Sequence, residues 1–123
     1  MANDLRSAQA APRRGEIWTA YLVPGTEQRH WILIVSLNAR NLSAHALTVL
    51  AIPFASRLIE TPTTLILPSG ETGLPGPSCL RAHFITTLPK SQLVDRLPRS
   101  LSANRMREVS LCIRRSFDPD APF

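Results

Sequence analysis

Residues 31–37 read Trp-Ile-Leu-Ile-Val-Ser-Leu, an apolar run in which only the serine is polar. The run is too short for a typical helix and lacks polar alternate positions, so it predicts a central β-strand buried on both faces. Residues 46–54 have the same character, and Pro53 near their end indicates a strand edge or a bulge. The centre of the fold is therefore expected to be a sheet.

Three further segments predict strands. Residues 15–22 are rich in strand-forming side chains and are followed by a Pro-Gly turn. Residues 63–67 form a short apolar segment between two prolines, and residues 69–77 have the composition of a loop. Residues 78–88 alternate, which predicts one buried and one polar face. The predicted core face carries Leu80, Ala82 and Phe84, and the opposite face carries Cys79, Arg81, His83 and Ile85.

Helices are expected only in the last third of the chain. Residues 91–97 predict a short helix that begins after Ser91 and is stopped by Pro98. Residues 102–117 predict the main helix, with Arg114 and Arg115 in its last turn, where the helix dipole favours cations. Its apolar stripe is predicted at Met106, Val109, Ile113 and Phe117.

Together these segments predict one mainly β domain, a small barrel with a C-terminal α-helix packed on it. The length of 123 residues suits a single domain with its own core. Residues 1–13 lack periodicity and are expected to be a disordered N-terminal tail, and residues 118–123 a short C-terminal tail.

The net charge of +5 favours an anionic partner. Thirteen of the fourteen basic residues are arginine, whose planar fork matches phosphate. An arginine-biased but merely solvated surface explains the charge equally well. The two cysteines, Cys79 and Cys112, lack metal-ligand spacing and are expected to be buried and reduced, as in a cytoplasmic protein. No apolar stretch is long enough for a membrane span, and the N-terminus has no signal core.

Seven short motifs, in order, resemble those of the MazF/PemK/Kid family of toxins, and the resemblance covers residues 14–117. The motifs are RGEIW (14–18), PGTEQ (24–28), ILIVS (32–36), TVLAIP (48–53), TGL (72–74) followed by Ser78, TTLPK (86–90) followed by Leu93, and MREV (106–109).

This resemblance implies an SH3-like barrel of the CcdB/PemK type that forms a homodimer. It implies an endoribonuclease of a toxin–antitoxin system that cleaves single-stranded RNA by attack of the ribose 2′-hydroxyl, with no metal or cofactor. It also implies an antitoxin peptide that fills the RNA groove, and growth inhibition when the toxin is free.

Two expected catalytic positions depart from the family pattern. The family arginine directly precedes a proline, whereas here His30 and Trp31 occupy those two places and Arg29 lies one residue earlier. The family threonine corresponds to Ala55, with Ser56 next. A one-residue shift in a strand turns a side chain to the opposite face, so either Arg29 or His30 is expected to face the groove.

Cleavage by a 2′-hydroxyl needs proton transfer and stabilisation of charge on the phosphorane. Arginine suits the second task and histidine the first. The predicted catalytic residues are therefore Arg29, His30 and Ser56. The predicted RNA-binding residues are Glu27, Gln28, Trp31, Arg57, Arg81 and His83.

Other functions remain compatible with the sequence. A catalytically weak relative would still bind RNA or an antitoxin. A CcdB-like toxin would bind gyrase without being an enzyme, but its C-terminal Trp-Gly-Ile is absent, since this chain ends Asp-Ala-Pro-Phe. A plain basic barrel adaptor would explain the charge but not the order of the motifs.

Overall fold

The computed structural model describes residues 11–123, so the disordered tail predicted for residues 1–13 lies almost wholly outside the described residues. Within them the chain is mainly β. The strands are β1 (Glu16–Ala20), β2 (His30–Ile34), β3 (Thr48–Ala55), β4 (Thr64–Leu67), β5 (Ser78–Arg81), β6 (Thr86–Pro89) and β7 (Leu93–Ser100). The α-helices are α1 (Asn38–Asn41), α2 (Ser69–Thr72) and α3 (Ala103–Arg115), and short 3₁₀ turns occupy Ala82–Phe84 and Lys90–Gln92.

The strands pair antiparallel in the order β4-β5-β3-β2-β1-β7. Strand β3 has an additional partner, because β6 pairs with its residues 48–51 while β5 pairs with Phe54 and Ala55. Pro53 lies between the part of β3 that pairs with β6 and the part that pairs with β5. A residue without a backbone N–H is tolerated there, because it interrupts neither pairing. At the far end of the sheet, a guanidinium N–H of Arg99 in β7 donates to the Gly70 carbonyl in α2, so the sheet curls into the predicted barrel-like shape.

Residues 78–88 do not form the single strand that their alternation predicts. The segment crosses from one half of β3 to the other, and the 3₁₀ turn Ala82–Phe84 makes that crossing. The assignment of Phe84 to the core is therefore wrong, since 54% of the residue is exposed. Cys79 is fully buried, as expected for both cysteines, although the alternation places it on the face of Arg81 and His83.

The helix predicted over residues 91–97 is also wrong, because this segment enters β7. Leu93 pairs with Ala20 and packs on one side of the sheet, while Leu97 packs on the other. Pairing with β1 thus outweighs a weak local helix preference. Pro98, which looks like a helix stop, is tolerated because β7 is the edge strand of the sheet.

Two hydrophobic clusters lie on opposite sides of the central strands. The first fills the barrel and receives α3; from the central strands it takes Ile17, Leu33 and Ile52. The second lies on the opposite face and takes Trp18, Ile32 and Ile34. Strands β1, β2 and β3 are therefore buried on both faces, as the apolar run at residues 31–37 predicts.

Helix α3 begins after Ser102, whose hydroxyl accepts from the backbone N–H of Arg105. Its buried stripe consists of Met106, Val109 and Cys112. Phe117 was predicted to continue the stripe but lies beyond the end of the helix and is 75% exposed. Both cysteines are buried and free, as expected. Across residues 11–123, no helix is long and apolar enough to cross a bilayer.

A salt bridge joins α2 to α3. Two N–H groups of Arg105 donate to the Glu71 carboxylate, at 2.9 and 3.0 Å, and these hydrogen bonds lower the pKa of Glu71. A carboxyl group with a lowered pKa in the folded state stabilises the fold above its unfolded-state pKa, and the effect is lost as the pH falls through the folded value.

Glu71→Gln is therefore expected to destabilise the protein modestly at pH 7, with a difference that shrinks as the pH is lowered below the ordinary pKa of a glutamate and through the lowered pKa of Glu71. Urea unfolding of both proteins across this pH range measures the effect, with Glu60→Gln as the control for loss of an exposed acid. A difference between wild type and Glu71→Gln that stays constant with pH would contradict the coupling.

Candidate RNA-binding groove

A groove of about 520 Å³ opens where β2 begins and β3 ends. One wall is the loop at residues 74–78. The other lining residues are Thr19 from β1, Arg29, His30 and Trp31 at the start of β2, and Phe54, Ala55 and Ser56 at the end of β3. Of the predicted site residues, Arg29, His30, Trp31 and Ser56 meet here.

Strand register brings these residues together. Thr19 pairs with Trp31, and the pairing of Ile32 with Pro53 places Trp31 opposite Phe54. Ala55 pairs with Cys79, so Ser56 follows the strand toward Ser78 and the loop wall. The groove is therefore the open end of the barrel, and its position is fixed by the backbone ladder.

The floor of the groove is apolar. Trp31 and Phe54 lie on the barrel side of the sheet, and Leu74 is buried beside them. Trp31 keeps 40% of its surface exposed. An exposed aromatic face next to cationic groups is the surface on which a nucleic-acid base stacks.

Arg29 lies at the rim of the groove, just before β2, and its guanidinium has two partners. Its Nε donates to the hydroxyl of Tyr21 at 3.3 Å, and its Nη1 donates to the Asp95 carboxylate at 3.3 Å. The hydrogen bond to Tyr21, with a smaller contribution from the negative charge of Asp95, raises the pKa of Arg29 above its ordinary value. Arginine keeps its charge in proteins, and these two partners give the guanidinium a defined orientation.

His30 and Ser56 complete the polar part of the groove. His30 is the first residue of β2, is half-buried and pairs with Ala20. Ser56 is exposed and follows the last residue of β3. Both Arg29 and His30 line the groove, since Arg29 precedes the strand and is not bound by its alternation.

The remaining predicted residues lie outside this groove. Glu27 and Gln28 are exposed in the loop before β2, and Arg57 is exposed after Ser56. Arg81 and His83 gather around Phe84: the Arg81 guanidinium lies 5.6 Å from the ring centre and the His83 ring 4.7 Å from it. These five residues form separate surfaces next to the groove or beyond it.

Residues 13–117 match the family described as PemK-like, MazF-like toxin of type II toxin–antitoxin system. The chain belongs to this family. The endoribonuclease MazF2 of Mycobacterium bovis and the endoribonuclease MazF6 of Mycobacterium tuberculosis are each 32% identical to it over 110 residues, which is 85% of this chain and 96% of the relative.

Solved structures agree with the family. A mycobacterial endoribonuclease in complex with its cognate antitoxin has a TM-score of 0.75 at 27% identity, covering 91% of this chain and 100% of that chain. The M. tuberculosis toxin MazF-mt6 has a TM-score of 0.72, with 85% of this chain and 98% of that chain covered; at 21% identity it supports the fold alone.

The positions at which this MazF-like chain departs from the expected family pattern can now be located. Ala55 lines the groove without a hydroxyl, and Ser56 beside it lines the groove with one. Trp31 supplies part of the aromatic floor. All three residues therefore lie at the groove.

The sequence does not identify several residues in and beside the groove. Tyr21 directly follows β1, and its residue type predicts only a strand former. Asp95 lies within the segment wrongly predicted as a helix, so its position beside Arg29 could not be anticipated. Phe54 and the loop at residues 74–78 were identified as strand and loop but not as walls of a groove. Within residues 11–123, no group of three or more His, Cys, Asp or Glu is arranged to hold a metal ion.

Proposed function

We propose that this MazF-like toxin is an endoribonuclease that cleaves single-stranded RNA by attack of the ribose 2′-hydroxyl on the adjacent phosphate, without a metal. The observation that carries the proposal is the groove in which Arg29, His30 and Ser56 lie over an aromatic floor. The naming of its relatives as endoribonucleases favours this function over a gyrase-binding or adaptor role.

In the proposed reaction the 2′-oxygen forms a bond to phosphorus and the bond from phosphorus to the 5′-oxygen breaks. The products are a 2′,3′-cyclic phosphate and a 5′-hydroxyl. Arg29 stabilises the charge that builds on the non-bridging oxygens, because a guanidinium offers forked donors and keeps its proton.

The proton transfer is assigned to His30, which takes the proton of the 2′-hydroxyl and gives a proton to the departing 5′-oxygen, because imidazole is the groove's side chain best suited to proton exchange near neutral pH. The hydroxyl of Ser56 donates a hydrogen bond to a phosphate oxygen, in place of the hydroxyl that Ala55 lacks. Trp31 stacks against a base beside the scissile phosphate, so that the strand is held with its 2′-oxygen near phosphorus.

A longer RNA strand would extend beyond the groove. We assign contacts at its ends to Glu27, Gln28 and Arg57 near the groove, and to Arg81 and His83 around Phe84. Arginine contacts with phosphate give sequence-independent affinity that weakens with salt. The net charge of +5 suits such binding.

The same proposal covers the partners and the location. A homodimer is the expected assembly, and an antitoxin is an expected partner, which is supported by the mycobacterial relative solved in complex with its cognate antitoxin. We expect the antitoxin to compete with RNA for the groove. The cytoplasm, where RNA is the substrate and thiols stay reduced, is the proposed location.

The decisive experiment incubates the purified protein with a long single-stranded RNA in excess EDTA. Cleavage that leaves 2′,3′-cyclic phosphate and 5′-hydroxyl ends is expected. A matched RNA with a 2′-deoxy nucleotide at the cut site should resist, because it lacks the attacking oxygen. Cleavage of this deoxy substrate, or cleavage that EDTA abolishes, would contradict the mechanism.

One observation favours a second candidate, a relative that binds RNA but cleaves it weakly: Ala55 leaves the expected hydroxyl position empty. The two candidates differ in one assay. Tight binding of the 2′-deoxy RNA without cleavage of the matched all-ribose RNA would select the second.

A further inference from the structure

We propose that Asp95 is the positioning residue of the groove: it fixes the guanidinium of Arg29 in the orientation that receives the phosphate. This inference rests on the proposed function. It concerns a residue in β7 that does not itself line the groove.

A bulge in β7 directs Asp95 toward Arg29. Trp18 pairs with Arg96 and Ala20 pairs with Leu93. Thr19, the single residue between them on β1, therefore lies opposite two residues of β7, Val94 and Asp95. Bulges of this kind change the direction of a side chain at the edge of a sheet. Here the edge strand brings a carboxylate within 3.3 Å of Arg29.

The backbone of Asp95 is tied to the groove itself. Its N–H donates to the hydroxyl of Thr19 at 3.1 Å, and that hydroxyl donates to the Asp95 carbonyl at 3.5 Å. Thr19 lines the groove and pairs with Trp31. The backbone of Asp95, from which the carboxylate extends, is therefore held at a fixed place relative to the aromatic floor.

Tyr21 supports Arg29 from a second side. Its hydroxyl accepts from Nε, and its ring centre lies 5.8 Å from the guanidinium carbon. The backbone N–H of Tyr21 donates to the Gln92 carbonyl at 3.0 Å, which anchors this support to the segment leading into β7. Two sides of the guanidinium are thus occupied by fixed groups.

The donor inventory shows what remains for a ligand. A guanidinium has five N–H donors, and Arg29 uses one for Tyr21 and one for Asp95. Three remain, one on Nη1 and both on Nη2, and these are available to phosphate oxygens. Asp95 therefore orients the fork without consuming the donors that the phosphate needs.

The pair is not strong enough to exclude RNA. The side chains of Arg29 and Asp95 are 49% and 59% exposed, and exposed ion pairs are weak because solvent screens them. Removing the carboxylate should therefore let the guanidinium of Arg29 move and make the net charge more positive. The first effect should lower the cleavage rate, whereas the second should favour RNA binding.

Asp95→Ala is expected to lower the single-turnover rate of RNA cleavage by about tenfold, because a misplaced charge stabilises the transition state less well. It should bind 2′-deoxy RNA at least as tightly as the wild type, since a negative charge near the phosphate is gone. Asp95→Asn, which keeps an acceptor oxygen, should recover part of the rate. Asp120→Ala, the loss of an exposed acid in the C-terminal segment, should leave the rate unchanged.

Double variants distinguish positioning from a structural role. If Asp95 acts through Arg29, adding Asp95→Ala to Arg29→Ala should change the remaining rate by less than about twofold. A wild-type rate in Asp95→Ala would overturn the proposal. So would an equal loss of rate in the presence and in the absence of Arg29.

Binding data separate this inference from the proposed function. If the wild type does not cleave RNA at all, the proposed function fails, and affinity for 2′-deoxy RNA then tests the inference alone. The loss of affinity caused by Arg29→Ala should be at least about threefold smaller when Asp95→Ala is also present. Equal losses in both backgrounds would show that Asp95 does not position Arg29.

Discussion

Arg29→Ala is expected to lower the rate of RNA cleavage by at least ~10²-fold, the loss typical when a donor that stabilises transition-state charge is removed. Among residues 11–123, Arg29 is the one arginine that lines the groove, and Tyr21 and Asp95 hold its guanidinium at the rim. His30→Ala should produce a comparable loss, since general acid–base groups contribute ~10²–10⁴-fold. Single-turnover assays with saturating protein measure both variants.

A charge-matched control separates catalysis from general attraction. Arg107 is exposed on α3, outside the groove, so Arg107→Ala removes one positive charge without touching the site. It should retain the wild-type single-turnover rate, with at most a weaker, salt-dependent affinity. If Arg29→Ala and Arg107→Ala reduce cleavage by the same factor, Arg29 contributes only bulk charge and the assignment fails.

Leu33→Ala is expected to cost about 2–5 kcal/mol of unfolding free energy, a large share of the roughly 5–15 kcal/mol available to a domain. Leu33 is fully buried in the middle of β2, between Ile17 on β1 and Ile52 on β3. Its truncation leaves a cavity that the paired strands cannot close, because both of their faces are packed.

Urea unfolding measures this cost as a lower midpoint at an unchanged slope. Leu47→Ala is the matched control, since Leu47 is 75% exposed and the same atoms are removed at little cost, within about 0.5 kcal/mol. A loss below about 1 kcal/mol for Leu33→Ala would show that the site refills and that the barrel interior is loosely packed.

Buried strands and the main helix could be predicted from the sequence because their pattern is local. The run at residues 31–37 is apolar at every position but one, and only a strand covered on both faces explains it. Ser102 and the spacing of Met106 and Val109 determine α3 in the same way. Such features need no knowledge of what lies across the sheet.

The errors arose where tertiary pairing decides the outcome. Residues 91–97 contain nothing that forbids a helix, and only the register with β1 makes them a strand. Residues 78–88 do alternate, but they pair with two separate parts of β3, and a 3₁₀ turn connects the two paired segments.

The candidate groove was predictable in part. The neighbouring Arg29 and His30 could be proposed from side-chain chemistry, and the family resemblance indicated the end of β3. Asp95 and Tyr21 could not be identified, because their importance depends on the pairing of β1 with β7, which are distant in the chain. Arg81 and His83 share a predicted face, yet both lie around Phe84 and outside the groove.

The covering of β1, β2 and β3 on both faces limits how proteins with this architecture can diversify. A substitution at the buried positions of these strands meets packed neighbours, whereas residues 75–77 of the groove wall and the segment before β2 are largely open to solvent and ligand. New RNA sequence preferences can therefore arise by exchange of loop residues around an unchanged barrel. Substitutions that change RNA sequence preference and substitutions that change the free energy of unfolding should consequently lie in different parts of the chain.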